Sequence, residues 1–212
     1  RGGLVSHRRL SNGEDKPYEL NISWWSAMED AGRDSNRFQS ERFLLTQLLV
    51  MSLKGVPAFY LPALLASEND IKSFSMTGQR RDLNREKFNS EKLSALFRNP
   101  ESNANKNLIY LRNAMDIRAS LPQFHPHSEM KCLSKNRGDI VVIKRGIDSK
   151  AIFTIHNMTE NKINYRLSDL ASIKLNSSEL NMQDYLTSNK YNCNNIELNP
   201  FQVMWLGFLI DD

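Results

Sequence analysis

Cysteine is scarce: the 212 residues hold only Cys132 and Cys193. Their spacing suits neither a zinc site nor a redox pair, so unpaired buried thiols in a reducing, cytoplasmic setting are expected. Long apolar runs are missing too. The longest, around Phe43 to Leu53, is broken by Thr46, Gln47 and Ser52. It falls short of the ~20 residues that span a bilayer, so no membrane partner is expected. There is no long run of Lys and Arg, and the net charge is a mild +4. That describes a mixed solvated surface and gives no support to a nucleic-acid partner. The chain starts Arg1-Gly2-Gly3, without methionine or a signal peptide's apolar core, which leads us to expect a piece of something longer. The sequons at Asn21, Asn157 and Asn176 are read as chance in an Asn- and Ser-rich chain. His125-Pro126-His127 with Cys132 could suggest zinc. A proline separates the histidines and a fourth ligand is lacking, so neither metal nor cofactor is expected.

What is present is an ordinary globular composition, 40% apolar and 25% charged, in two stretches of different character. Residues 1 to about 30 read as a polar loop followed by a short helical turn at Trp24-Trp25. Ser40 is a plausible N-cap for a helix to about Leu53, stopped by Gly55. Val56 to Leu61 reads as a short buried strand, and residues 62 to 90 as a long loop with a short helix near Leu64 to Ser67. Asn89-Ser90-Glu91 can cap a helix ended by Pro100. A helix is predicted from Asn103 to Ser120, with Leu108, Leu111, Met115 and Arg118 along one face.

After the proline-stiffened connector Leu121 to His127 the pattern changes. Short apolar runs recur at Ile140–Ile143, Ile152–Ile155, Ile163–Leu167, Ile173–Leu175, Ile196–Leu198 and Phe201–Leu206, with turn residues between them. Regular short runs of this kind predict six to eight antiparallel strands in a sandwich.

The polar loop from Thr77 to Phe88 is dense in Arg, Asn and Asp. Loops of that kind, hung from the carboxyl end of a strand, carry substrate contacts in barrel enzymes. A guanidinium there can donate to two sugar hydroxyls through its planar fork. The loop shows no acid or base able to break a bond.

Five patches carry a resemblance. They are Pro17-Tyr18-Glu19-Leu20-Asn21, Gly55-Val56-Pro57-Ala58-Phe59-Tyr60, Thr77-Gly78 through Arg81-Asp82-Leu83-Asn84-Arg85, Pro122 to Pro126, and Asn199 to Leu206. In order and spacing they resemble the C-terminal half of α-amylase-family sugar phosphorylases, the sucrose phosphorylase group with its glucosylglycerate and sucrose 6-phosphate relatives. The resemblance implies an α/β plus all-β fold. Residues 1–121 would be the C-terminal quarter of a TIM (β/α)8 barrel, and residues 122–212 an antiparallel β-sandwich domain. A whole barrel needs ~250 residues.

It further implies glucosyl transfer to phosphate by retaining double displacement, with a sugar and phosphate as small-molecule partners. The family's catalytic carboxylates lie upstream of the matched region, so none is carried over, and neither Asp70 nor Asp82 is taken as a substitute. Arg81 matches an arginine that hydrogen-bonds the glucosyl unit. Tyr18 and Glu19 match residues shaping the acceptor and phosphate side, where sucrose phosphorylases usually have glutamine in place of Glu19. Pro62 and Ala66 depart from a common histidine and a common glycine.

Other readings stand beside these. Glu19 could be a helix-start carboxylate, Arg81 a surface residue, and Asn84 and Arg85 loop pins. Trp24 and Trp25 suit core or sugar stacking. The whole chain could also be a non-catalytic carbohydrate-binding or interaction module.

Overall fold

The computed structural model describes residues 1–30, 37–134, 137–147, 150–167 and 181–209. The chain divides into two units, Arg1–Phe43 with Ala58–Leu111, and Leu44–Pro57 with Arg112–Asp212. Two of the three boundaries fall inside helices, α2 (Gln39–Ser52) and α6 (Asn103–Ser120), and the third falls between Pro57 and Ala58. Among the described residues no helix is long and apolar enough to cross a membrane.

The first unit opens with a hairpin where the sequence reads as loop. Strands β1 (Leu4–Arg9) and β2 (Asp15–Asn21) pair antiparallel, with a register shift between Ser6 and His7 where Pro17 stands opposite. Proline has no N–H to give the ladder, and an irregularity is where a strand tolerates it. The hairpin escapes pattern reading because its apolar residues Val5, Tyr18 and Leu20 are exposed and its neighbours are polar. Ser23 then caps α1 (Trp24–Ala27), its side chain accepting from the Ser26 N–H. This separates the two tryptophans. Trp25 is 4% exposed and packs edge-on to Phe43, with ring centroids 5.3 Å apart, while Trp24 is 45% exposed.

The expected strand from Val56 to Leu61 is not formed. Val56 is 80% exposed, and Tyr60 and Leu61 are about half exposed. A strand exists only where a neighbour takes its backbone groups, and no described strand pairs with this stretch. The expected loop from 62 to 90 is instead largely helical. It holds α3 (Leu61–Leu64), α4 (Ile71–Thr77), a 3-10 turn over Arg80–Asn84, and the start of α5 (Ser90–Arg98). Asp70 caps α4 through Ser73, Gly78 ends it at φ 68°, and Asn89 caps α5 through the Lys92 N–H. Helix α6 has the bounds read from its periodicity.

The second unit is built on a six-stranded antiparallel sheet ordered β3-β4-β5-β10-β7-β8. Its strands are β3 (Met130–Cys132), β4 (Ile140–Arg145), β5 (Ile152–Asn157), β7 (Asn181–Asp184), β8 (Lys190–Asn192) and β10 (Val203–Phe208). A two-stranded sheet of β6 (Ile163–Tyr165) and β9 (Ile196–Leu198) covers one face. Ile140, Val142, Phe153, Ile155, Met182, Met204 and Leu206 meet Tyr165, Ile196 and Leu198 there in an apolar core. The antiparallel β domain expected from the sequence is therefore present. The run Ile173–Leu175 lies outside the described residues. The expectation of two buried thiols needs correcting, since Cys193 is buried and Cys132, on the edge strand β3, is exposed.

The other sheet face carries Ile143, Arg145, Ile152, Thr154, His156, Val203 and Trp205, and it too is buried. Alternate residues of β5 point to opposite faces, so its six buried residues require cover on both. Phe124 supplies part of that cover, 4.8 Å from Trp205 between ring centroids, and the end of α2 supplies another part.

Candidate functional site

Of the three sequence-derived site residues, Arg81 and Glu19 meet in the first unit, and Tyr18 makes no contact with either. Arg81 lies in the 3-10 turn and Glu19 in β2, 62 residues apart, and the Arg81 Nε donates to Glu19 Oε2 at 3.3 Å. The two side chains are 54% and 31% exposed, so the pair is solvent-screened and contributes little to stability. Neighbouring groups hold the turn. Arg80 donates to the Val5 carbonyl at 2.7 Å, tying it to β1. Asp82 accepts from the Thr77 hydroxyl at 2.7 Å, and the Asp70 N–H donates to the Leu83 carbonyl at 2.7 Å over the buried Leu83 side chain. The Arg81 guanidinium thus stands on a supported backbone. Its Nη groups make no hydrogen bond recorded among the described residues.

Tyr18 precedes Glu19 on β2 and is 63% exposed. The reading of Glu19 as a helix-start carboxylate is corrected, since it sits in a strand and Ser23 caps the helix that follows. Asp70 and Asp82 are occupied locally. The Asp70 carboxyl is held below the usual range; burial opposes this shift, and the Ser73 hydroxyl and N–H and the charges of Lys92 and Lys72 drive it. A shallow depression on α5, lined by Ser90, Glu91, Ser94, Ala95 and Arg98, lies on a different element. No group of three His, Cys, Asp or Glu able to hold a metal occurs among the described residues. The rings of His125 and His127 are 5.6 Å apart between centroids and form no such group.

The second unit holds polar groups that the sequence does not single out. Arg145 is fully buried and donates to the carbonyls of Ser52 at 3.2 Å, Leu53 at 2.6 Å and His125 at 3.0 Å. Arg118 donates to those of Met51 and Gly55, both at 2.9 Å. Both guanidinium groups lie 5.6 Å from the Phe124 ring centre. Together they satisfy carbonyls at the end of α2 that have no partner within the helix and carry its negative dipole end. Burial lowers both arginines' pKa values, with the charge of Arg118 adding to the effect on Arg145.

His156 is also fully buried, and burial depresses its pKa to about 3. Its Nε2 lies 3.3 Å from the Ser52 hydroxyl, which itself donates to the Leu48 carbonyl. That assigns the proton to Nε2 of a neutral ring. Asp184 accepts from the N–H groups of Trp205 and Leu186 and from the Thr187 hydroxyl, and burial raises its pKa. These groups are engaged in holding the fold.

No family model matches the chain. It is 26% identical over 207 residues to the glucosylglycerate phosphorylase of Escherichia coli, covering 97% of this chain and 35% of that protein. It is 30% identical over 160 residues to the glucosylglycerate phosphorylase of Allomeiothermus silvanus, covering 75% of this chain and 28% of that one. With the sucrose phosphorylase of Streptococcus mutans it shares 24% identity over 146 residues, covering 67% of this chain and 27% of that protein. The crystal structure of sucrose 6F-phosphate phosphorylase from Thermoanaerobacter thermosaccharolyticum superposes with a TM-score of 0.56 at 19% identity, covering 74% of this chain and 29% of that one, which speaks for the fold alone. The chain spans about a third of the length of the curated relatives it matches. By its sequence the chain belongs to the sugar phosphorylases, in the group of the glucosylglycerate and sucrose phosphorylases.

Proposed function

We propose that the chain is part of a retaining α-glucoside phosphorylase, which transfers a glucosyl unit to phosphate and yields α-glucose 1-phosphate. Residues 1–121 correspond to the C-terminal quarter of its barrel and residues 122–212 to its β domain. The favoured donor is glucosylglycerate, the substrate named for two of the relatives above, ahead of sucrose 6-phosphate and sucrose. In this scheme a carboxylate attacks the anomeric carbon, an acid protonates the leaving oxygen, and phosphate then takes the glucosyl unit in place of water. Both carboxyl groups come from barrel strands that this chain does not supply. Its own contribution is to binding. Arg81 donates to glucosyl hydroxyls, and Tyr18 and Glu19 shape the side where acceptor and phosphate enter. The setting is cytoplasmic.

The observation that carries this reading is the meeting of Arg81 with Glu19 across 62 residues of sequence. Two residues matched to substrate positions on sequence alone lie within hydrogen-bond distance.

The test has two parts. The purified 212-residue chain should release no glucose 1-phosphate from glucosylglycerate, sucrose 6-phosphate or sucrose with phosphate. Release would overturn the assignment of the carboxylates to other parts of the enzyme. Glucosylglycerate binding, followed by NMR titration, should weaken about tenfold or more in Arg81→Ala, the loss of one charge-assisted bond. Arg81→Lys should recover little, because an ammonium lacks the fork. Equal affinity in Arg81→Ala and the parent chain would remove Arg81 from the site.

A further inference from the structure

Three polar atoms on the α2-covered face of the large sheet stand apart from its hydrogen bonds. Thr154 Oγ1, His156 Nδ1 and Trp205 Nε1 have no partner among the described residues, and all three residues are fully buried. A polar atom left alone in such a place costs stability, because it has given up bulk water and received no bond in return.

Sheet register brings the three side chains together. Thr154 stands opposite Trp205 across β5 and β10. The Trp205 N–H donates to Asp184 and its carbonyl accepts from the Tyr185 N–H, so both backbone groups point away from β5. Thr154 and Trp205 are therefore a non-hydrogen-bonded pair, the kind whose Cα atoms approach to about 4.5 Å and whose side chains lie closest. His156 is two residues on from Thr154 and shares its face, about 7 Å along the strand. One molecule hydrogen-bonded on both sides, at about 2.8 Å each, can bridge side chains at that spacing.

The chemistry of the bridging molecule follows from the atoms. His156 donates its ring proton from Nε2 to the Ser52 hydroxyl, which in turn donates to the Leu48 carbonyl. Nδ1 is thus a bare acceptor, the Trp205 indole N–H is a donor only, and the Thr154 hydroxyl can be either. The occupant must donate to the imidazole and accept from the indole at once. A cation would meet the indole N–H, an anion would meet the imidazole lone pair, and an apolar group would satisfy neither. The smallest neutral molecule that does both is water.

We propose that a buried water is bound between β5 and β10, accepting from Trp205 Nε1, donating to His156 Nδ1 and sharing a hydrogen bond with Thr154 Oγ1. Through His156 and Ser52 it joins the two strands to the last turn of α2. The Phe124 ring packs against Trp205, 4.8 Å between centroids, so exchange with bulk solvent requires the cover to open. The water is a structural part of this unit and is held far longer than surface water.

The experiment makes two measurements on the full chain. In NMR the Trp205 indole N–H, assigned by its contact with the Phe124 ring, is searched for a dipolar cross-peak to water. Laboratory- and rotating-frame spectra together separate such a peak from proton exchange. The expected peak has the sign of a molecule that tumbles with the protein. No dipolar peak, or one with the sign of fast surface water, overturns the proposal. The second measurement is hydrogen exchange of the β5 amides in Thr154→Val, where valine keeps the branched shape and removes the polar atom. If the hydroxyl bonds to the water, the opening equilibrium constant should rise about two- to tenfold, the loss of one hydrogen bond. A hydroxyl buried without a partner predicts the reverse, a fall of about fivefold or more, because an unpaired polar group has been removed. A fall, or no change, overturns the proposal.

Discussion

Replacing Arg145 should unfold the second unit more readily than any surface change. The side chain is fully buried and makes three hydrogen bonds to carbonyls, those of Ser52, Leu53 and His125. A hydrogen bond from a charged group contributes about 1.5–3 kcal/mol. Against this stands the cost of holding a guanidinium out of water, several kcal/mol with no carboxylate bonded to it. Arg145→Met keeps most of the volume and removes that burial cost, but it leaves three carbonyls without their donors. Two of them, at the end of α2, have no helical partner to turn to. The unsatisfied carbonyls should dominate, giving a net loss of about 2–4 kcal/mol, a large share of the 5–15 kcal/mol typical of a domain. Arg145→Lys should recover part of the loss, since one ammonium cannot reach all three oxygens as the fork does. The measurement is hydrogen exchange of the β4, β5 and β10 amides in the full chain, which reports on this unit alone. Protection in Arg145→Met within about 0.5 kcal/mol of the parent would refute the reasoning. It would mean that burying the guanidinium costs as much as its bonds return, as can happen when buried charges are replaced by apolar groups.

Two further outcomes follow from single residues. His156 accepts a proton near pH 6.5 when unfolded but only at about 3 when folded. Between those values the unfolded chain binds more protons, so stability is complete above about pH 6.5 and falls as pH drops, by up to ~1.4 kcal/mol per unit. Asp184, raised by burial, has the opposite sign, its contribution being lost as pH rises through its folded value. Denaturation midpoints from pH 7 to 4.5 should therefore fall in the parent and fall less steeply in His156→Gln; equal slopes would show that His156 is not the group responsible. Ala66 stands at φ 48°, a left-handed conformation that costs a side-chain-bearing residue about 1–2 kcal/mol. Ala66→Gly should relieve that strain, offset by glycine's looser unfolded chain, for a net gain of roughly 0.5–1 kcal/mol in a thermal melt; a loss of stability would show that the left-handed backbone is not strained there.

The sequence by itself determined the elements whose signals are local. Helix α5 was readable from the cap at Asn89 and the stop at Pro100, and α6 from periodicity through eighteen residues. Strands β4, β5, β9 and β10 announced themselves as short apolar runs between turn residues, and with them the antiparallel β domain. The departure at Ala66 was visible as well, although its consequence, a left-handed backbone, needed coordinates. Polar strands were not legible. The β1–β2 hairpin and the pair β7–β8 are held by backbone ladders and by Asp184, neither of which leaves an apolar pattern. Val56 to Leu61 failed in the opposite way, having strand composition without a described strand beside it.

Tertiary structure alone decided what distant residues do to one another. Arg81 and Glu19 could each be matched to a family position, but their contact spans 62 residues and depends on where the hairpin falls. Arg145 reads from the sequence as a turn residue and His156 as a polar residue just past an apolar run, yet both lie within strands, β4 and β5. Their burial, and their bonds to the end of α2 about a hundred residues earlier, arise because the second sheet face must be covered. Periodicity and caps are set by neighbours within a few residues. The partner of a buried charge is set by which surfaces the folded chain brings together, and that information is spread along the whole chain.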